Sequence, residues 1–318
     1  MATQSSYAAT SGSTLKNTIK EDVSDIIANI SPTDTPFFNA AGRRNVGTTT
    51  FEWLSEVLPS PASTNKQVEG VAFSSDAPIV QTRLSNVTQI SVRNAEVTGT
   101  QQATSNYGYA QEMAHQLTLA GRILRNDVEA SLVSANHQIS GDFASSAAAR
   151  QTRGIEHWIQ TNKHSVSGYS FSNATTALTD GTTPVSLTEA LTETVLQTCY
   201  EAGAEPDTVM INPALKNKVS AFTGRASTQV IVDPSTVSKN VTLYASDFGD
   251  VKVVMNRKVR NRTALLLDFE FIDVAFLRPF TKQNIAKVGD TEREQLVVEY
   301  GLVCKQESAL GKVADVAG

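Results

Sequence analysis

Apolar residues recur at every third or fourth position between Tyr107 and Asn136, and this is the strongest helical pattern in the chain. The opposite positions, among them Gln111, Arg122 and Glu129, are polar and predict a face open to solvent or to an interface. At 1.5 Å per residue the segment would be about 40 Å long. The pattern therefore predicts one long spine helix. Its apolar stripe consists of Met113, Leu117, Ala120, Leu124, Val128 and Leu132.

Alternation of apolar and polar positions predicts two strands, over 49–57 and 79–98. In the second strand the apolar positions change parity after Val92, which predicts a bulge or a strong twist near Asn94. The connection, 59–78, is rich in Pro, Ser, Ala and Gly. A hairpin of this kind would be about 40 Å long at 3.3 Å per residue, and we expect it to project from the body of the protein.

Shorter patterns fill much of the remaining chain. The first predicted helix covers Lys20–Ile30, where Val23, Ile26, Ile27 and Ile30 are apolar, and a short helical turn is predicted within 154–161. A third helix is capped by Ser186, with Glu189 completing a capping box and Gly203 at its C-terminal end. A fourth begins at Asn212-Pro213 and ends at about Phe222. The predicted strands cover 208–211, 241–245, 250–255, 263–267, 271–277 and 296–304. Helices and strands mix without a regular βαβ rhythm, so the predicted fold class is α+β.

Composition narrows the class of protein. The 318 residues have 40% hydrophobic content and a formal net charge of −5, which argues against a protein whose main task is to neutralise nucleic-acid phosphates. Residues 1–20 are rich in Ser, Thr, Gly and Ala and predict a flexible arm without a secretory signal. The two cysteines, Cys199 and Cys304, predict neither a disulfide framework nor a metal site. No apolar run predicts a membrane span.

Candidate catalytic residues are few. Asp247-Phe248-Gly249 matches the tripeptide that holds magnesium in protein kinases, but the other kinase motifs are missing, and the segment fits a turn between two strands. Asp34 fits a turn or a helix cap. The four histidines, His115, His137, His157 and His164, fall on polar helix faces or in loops without metal-ligand spacing. We therefore predict no catalytic, cofactor or metal site.

The segment 257–262 is the densest basic run in the chain. Its arginines, Arg257, Arg260 and Arg262, would contact phosphates or acidic residues of a neighbouring subunit, or would lie on a solvated connection between strands. Acidic residues for such pairing are Glu292, Glu294 and Glu299.

The order of several short segments resembles a known family. The segments are Asp25-Ile26-Ile27-Ala28-Asn29-Ile30-Ser31-Pro32-Thr33-Asp34-Thr35-Pro36-Phe37, Phe51-Glu52-Trp53, Thr82-Arg83-Leu84-Ser85-Asn86, Val97-Thr98-Gly99-Thr100-Gln101-Gln102, Glu201-Ala202-Gly203, Asn212-Pro213, Ser246-Asp247-Phe248-Gly249, Leu277-Arg278-Pro279-Phe280 and Val298-Glu299-Tyr300. Together they look like a major capsid (head) protein of tailed bacteriophages and related prophages, with the Hong Kong 97-type fold. The resemblance runs from about residue 20 to 316.

The resemblance implies four parts of the chain. These are an N-terminal arm at 1–45, an extended loop made of a long β-hairpin at 46–100, a peripheral domain with the spine helix at 101–184 and 262–318, and an axial domain at 185–261. The arm would become ordered on assembly, where a neighbour supplies the apolar surface that it lacks.

The implied function is structural and non-enzymatic. Copies of the chain would form hexamers and pentamers of an icosahedral or prolate shell in the virion, assembled in the bacterial cytoplasm around double-stranded DNA that is not bound sequence-specifically. Portal, scaffolding and decoration proteins are further candidate partners. A tail or baseplate component and a hydrolase with an unrecognised site remain the alternatives. The hairpin residues expected at subunit contacts are Phe51, Trp53, Val80, Leu84, Ile90 and Val92.

Overall fold

The computed structural model describes residues 31–70, 78–104, 108–142, 148–170, 173–222 and 243–317. The predicted arm over 1–20 and the helix over 20–30 lie outside these residues. The helices are α1 (Pro36–Ala40), α2 (Gly99–Ala103), α3 (Glu112–Leu132), α4 (Ile155–Trp158), α5 (Glu189–Glu201) and α6 (Pro213–Val219). The strands are β1 (Gly42–Asn45), β2 (Thr50–Ser55), β3 (Thr82–Val87), β4 (Gln89–Thr98), β5 (Lys163–His164), β6 (Val185–Ser186), β7 (Thr208–Ile211), β8 (Leu243–Ser246), β9 (Gly249–Met255), β10 (Thr263–Leu267), β11 (Ile272–Ile285), β12 (Thr291–Cys304), β13 (Gly311–Ala314) and β14 (Val316–Ala317).

The spine helix is α3, and it packs on a four-stranded sheet in the order β1-β11-β12-β4. The predicted apolar stripe is confirmed, because Met113, Ala120, Leu124, Val128 and Leu132 are buried. The helix has 21 residues, about 30 Å at 1.5 Å per residue, and is shorter than predicted. Gly108 has φ +82°, a left-handed conformation that does not fit a right-handed helix.

Strands β11 and β12 form a 14-residue antiparallel ribbon, and β11 is twice the length predicted for it. The sequence pattern of β11 breaks at Arg278-Pro279, which reads as the end of a strand. The structure accommodates these residues through register shifts between Phe276 and Thr281. Proline has no N–H to donate, so it fits a bulge better than a regular ladder.

The predicted hairpin is present but short. Strands β2 and β3 pair over six residues each, from Thr50–Val87 to Ser55–Thr82. After Thr88 the chain leaves this pair and continues as β4 along β12. The bulge predicted near Asn94 is wrong, because β4 pairs with β12 without a register shift. The parity of the inward-facing positions changes at Thr88, where the chain passes from one sheet to the other.

A second sheet of six strands has the order β5-β13-β10-β7-β9-β8, with parallel and antiparallel pairs. The buried strand 208–211 and the start of α6 are as predicted, and the side chain of Asn212 accepts a hydrogen bond from the Ala214 N–H. Helix α5 is capped by Thr188 rather than by Ser186, which lies in β6. The mixture of helices with two mixed sheets confirms the predicted fold class.

Candidate assembly interface

The connection between β2 and β3, residues 56–81, is hereafter the loop tip. Its described residues, 56–70 and 78–81, are all exposed and form no helix or strand. Large apolar side chains nevertheless occur along it, and exposed apolar surface is where a protein partner can bind. The exposed apolar residues in or beside the loop tip are Leu54, Val57, Leu58, Val68, Ile79 and Val80.

The chain is also acidic at and beside the loop tip. Residues 46–81 contain Glu52, Glu56, Glu69 and Asp76 but a single lysine, Lys66, and no arginine. The carboxylate of Glu52 pairs with Arg83 within the hairpin. The loop tip therefore combines apolar side chains with negative charge, a combination that fits an apolar surface bordered by basic residues.

The base of the hairpin is fixed to the body of the subunit. The rings of Phe51 and Trp53 are stacked with centroids 5.9 Å apart, and Trp53 also contacts Trp158. The Trp53 Nε1–H donates to the Cys304 carbonyl at 2.8 Å. Gly301 lets the Phe51 ring approach the backbone, because a Cβ there would lie 2.6 Å from the ring. Phe51 and Trp53 are thus buried within the subunit, and a role for them between subunits stays a prediction.

The other hairpin residues expected at contacts differ in exposure. Val80 is 79% exposed, whereas Leu84 is half-buried against the main core. Ile90 and Val92 on β4 are 45% and 37% exposed, because α3 covers the opposite face of this sheet. Three of these side chains, Val80, Ile90 and Val92, are therefore available to a neighbour.

The basic run 257–262 is divided among contacts within the subunit. Arg257 Nη1 lies 3.5 Å from the exposed carboxylate of Asp34. Arg260 binds Glu156 Oε1 at 3.0 Å and Asp180 Oδ2 at 2.5 Å. Arg262 Nη2 lies 2.8 Å from Oδ1 of buried Asp315. The structure therefore does not bring the three predicted arginines together as one exposed patch, because Arg260 and Arg262 pair with carboxylates of the same subunit.

Sequence reasoning missed the buried charges around Glu156. Glu156 and Lys312 are fully buried, and Lys312 Nζ donates to the Glu156 carbonyl at 2.7 Å. Burial lowers the pKa of Lys312 to about 7 and raises that of Glu156, while Arg260 acts in the opposite direction on Glu156. Thr263 Oγ1, at the start of β10, also donates to Glu156 Oε1 at 2.8 Å, so these contacts connect α4 to strands β10 and β13. Two charged residues far apart in sequence carry no local signal of such a contact.

One histidine departs from the expected exposure. His157 is fully buried, and its Nδ1 accepts a hydrogen bond from Arg153 Nε at 2.8 Å. Burial lowers its pKa to about 4, so the ring is neutral at pH 7. The expectation of a polar helix face or a loop is wrong for this residue, because α4 is a single turn surrounded by core.

Glu299 is also buried, at 3% exposure, and is not the surface acid that was predicted. Its carboxylate accepts hydrogen bonds from Arg150 Nη2 at 2.6 Å, Arg278 Nε at 2.8 Å and Thr88 Oγ1 at 2.9 Å. It therefore holds together the Arg278 bulge and the point where the hairpin joins the sheet. Glu292, at the surface, pairs with Lys287.

Three exposed arginines form a separate basic area, hereafter the arginine surface, which consists of Arg43, Arg122 and Arg125. The guanidinium groups of Arg43 and Arg125 lie 5.4 Å and 5.5 Å from the centre of the Phe38 ring. Arg122 lies one turn before Arg125 on α3. In the described parts of the chain, none of the three makes an ion pair with a carboxylate. Ile123, the residue after Arg122, is 46% exposed but points to another face of α3 than Arg125.

Neither thiol is accessible. Cys199 and Cys304 are both buried, and burial raises the pKa of each thiol to about 12. Within the described ranges, no group of His, Cys, Asp and Glu residues is arranged to hold a metal ion, and no helix is long and apolar enough to cross a membrane. The segment Ser246–Gly249 forms the turn between β8 and β9, as predicted.

Comparisons with known proteins give one family. The family model described as SU10 major capsid protein matches residues 3–317. The chain is 24% identical over 327 residues to the major capsid protein of Escherichia phage Phieco32, and this alignment covers 92% of the chain and 93% of the relative.

Solved structures of low sequence identity share the fold. The Cyanophage A-1(L) capsid asymmetric unit has a TM-score of 0.64 at 12% identity, with 94% of this chain and 98% of that chain covered. A chain from Gordonia phage Cozz has a TM-score of 0.63 at 12% identity, with 100% and 99% covered. The structure of the Phage G major capsid and decoration proteins has a TM-score of 0.57 at 12% identity, with 96% and 100% covered.

Proposed function

Because the chain belongs to the SU10 major capsid protein family and forms the shell of a phage capsid, we propose that it assembles with copies of itself into hexamers and pentamers. The family match decides for a shell protein over a tail or baseplate component. Heterologous contacts between identical subunits, repeated around five-fold and six-fold positions, close a shell. The observation that carries this proposal is the exposed apolar and acidic loop tip on a rigidly anchored hairpin.

The loop tip of one subunit would dock on the arginine surface of its neighbour. Glu56 and Glu69 supply negative charge, and Arg122 and Arg125 supply positive charge. Neither arginine makes an ion pair within the described residues, although Arg125 donates to Asn39 and its charge acts on the buried Glu129 carboxylate. Charge complementarity of this kind selects the partner and the register, while apolar burial supplies much of the stabilisation.

The four-part division of the chain into arm, extended loop, peripheral domain and axial domain is also a proposal. The four-stranded sheet with the spine helix supports a peripheral domain, and the six-stranded sheet supports an axial domain. Strands β5, β10 and β13 belong to the six-stranded sheet, although they fall outside 185–261. We infer that the axial domain includes these three strands.

The remaining partners follow from the role of a shell. We propose that the shell forms in the host cytoplasm, encloses double-stranded DNA without reading its sequence, and contacts portal, scaffolding and decoration proteins. The net charge of −5 supports enclosure without tight binding of phosphates. The family implies a structural role, and we propose that the chain performs no catalysis. The perturbed groups Glu156, His157 and Lys312 support this, since they lie in the packed interior.

Charge-swap variants test the docking contact. The full chain is expressed alone and in cells that supply the other phage head proteins, and particles are examined by negative-stain electron microscopy and light scattering. R122E/R125E is expected to abolish particles, and adding E56K/E69K is expected to restore them. The matched control is K252E, a reversal at an exposed residue of β9. Normal particles from R122E/R125E would refute docking, and reduced DNA content in such particles would assign the arginines to DNA instead.

A further inference from the structure

Glu129 is a fully buried carboxylate on the spine helix, at a position that the sequence pattern assigns to the polar face. Its Oε2 accepts a hydrogen bond from the Phe38 N–H at 2.7 Å. Its Oε1 accepts one from the Phe37 N–H at 2.9 Å and a second from Asn256 Nδ2 at 2.6 Å. A buried carboxylate is costly unless it is hydrogen-bonded, and here three donors meet it.

Two of these donors belong to the first turn of α1. Helix N–H groups in the first turn have no acceptor within the helix, and the residue before the helix normally supplies one. The N-terminal cap of α1 is Thr35, whose side chain makes no capping hydrogen bond. Glu129 supplies the missing acceptors from another element. A five-residue helix has little stability of its own, so this contact and the burial of Phe37 and Phe38 hold it in place.

The third donor comes from the end of β9. Asn256 is 2% exposed, and its Oδ1 accepts a hydrogen bond from the Lys258 N–H at 2.8 Å. This bond fixes the orientation of the amide, so the NH₂ group must point at Glu129. The Asn256 N–H donates to the Ile211 carbonyl at 2.9 Å, which ties the residue to the six-stranded sheet.

This carboxylate of the spine helix therefore contacts two other proposed parts of the chain: α1, in the arm, and Asn256, in the axial domain. We propose that Glu129 is a positioning residue that couples the position of α1 to the seating of the axial domain on the spine helix. The coupling passes through Oε1, which Phe37 and Asn256 share. If Asn256 moves, the position of Oε1 changes, and with it the hydrogen bond that Oε1 accepts from the Phe37 N–H.

Hydrogen exchange on the unassembled full-length subunit tests this coupling without relying on the proposed assembly. E129Q keeps the shape of the side chain but offers one acceptor oxygen, and its amide group faces an N–H donor. We expect exchange at Phe37 and Phe38 to rise by about tenfold or more, since the removed bonds are charge-assisted. D127N on the same helix is the matched control, because Asp127 pairs only with the surface residue Arg93 among described contacts.

N256A separates coupling from a local role. If Glu129 transmits the position of the axial domain, N256A raises exchange at Phe37 and Phe38 by at least about threefold, although Asn256 forms no hydrogen bond with either residue among the described contacts. Wild-type exchange at these two amides in N256A would overturn the coupling. Unchanged exchange there in E129Q would overturn the positioning role altogether.

The final readout concerns assembly and depends on the proposed function. Particles of E129Q are expected to lose a uniform diameter in electron micrographs, whereas those of D127N keep it. Uniform E129Q particles would overturn a role for the coupling in shell geometry. Because the exchange measurements use single subunits, they stand even if the docking contact at the arginine surface is refuted.

Discussion

Replacing Glu299 by glutamine tests how the β2–β3 hairpin is held to the rest of the subunit. The carboxylate accepts hydrogen bonds from Arg150, Arg278 and Thr88, and it is 3% exposed. E299Q keeps the volume of the side chain, so no cavity forms. It removes the charge that both guanidinium groups face and leaves one acceptor oxygen for three donors.

The expected loss is about 3 kcal/mol in the free energy of unfolding, since breaking a buried charge pair costs about 3–5 kcal/mol. We take the low end of that range because the Arg278 side chain is 46% exposed and water screens its interaction. The Arg150 side chain is 25% exposed, so water screens its interaction with Glu299 less, and this interaction accounts for the larger part of the expected loss.

Urea unfolding of the unassembled subunit, followed by tryptophan fluorescence, measures this loss. The chain has two tryptophans, Trp53 and Trp158, whose rings are 5.5 Å apart at the base of the hairpin, so they report on the region in question. The control is E292Q, which removes a surface pair with Lys287 and should cost less than about 1 kcal/mol. An E299Q loss no larger than that of E292Q would refute the assignment of Glu299 as a buried clamp.

Three further predictions concern single positions. G301A should cost about 1–3 kcal/mol in urea unfolding, because the added Cβ overlaps the Phe51 ring; an unchanged midpoint would contradict this close approach. Because of His157, the free energy of unfolding should be about 2 kcal/mol lower at pH 5 than at pH 7. The ring takes up a proton near pH 6.5 in the unfolded chain, whereas the buried ring, with a pKa of about 4, does not. The same pH dependence in H157Q would assign the effect to another group. T188A should lower the free energy of unfolding, measured by thermal denaturation, by about 1 kcal/mol, and S186A should lower it by much less. The reverse order would show that Ser186, the cap predicted from sequence, caps α5.

Local sequence patterns predicted the elements whose cause is local. The stripe on the spine helix, the buried strand 208–211 and the Asn212 cap each depend on residues within one or two turns of each other. The resemblance to capsid proteins depended on the order of many short segments, and the family match bears it out.

The strand pairing of β4 and the buried charges could not be predicted from the sequence, because they depend on residues far apart along the chain. Strand β4 continues directly from β3 but pairs with β12, about 200 residues later, and this explains the parity change at Thr88 without a bulge. Glu129, Glu156 and Lys312 resemble solvated charges in sequence. Their burial follows from donors and acceptors supplied by other elements, such as Asn256 and Arg260.

The burial of both cysteines has a consequence for chemical modification. Thiolate is the reactive form of cysteine, and pKa values of about 12 keep Cys199 and Cys304 protonated at neutral pH. A cysteine introduced at Val68, which is 75% exposed on the loop tip, would thus be the preferred target for maleimide reagents. Fluorophores or peptides could be attached at one defined point per subunit, with the native thiols left in place.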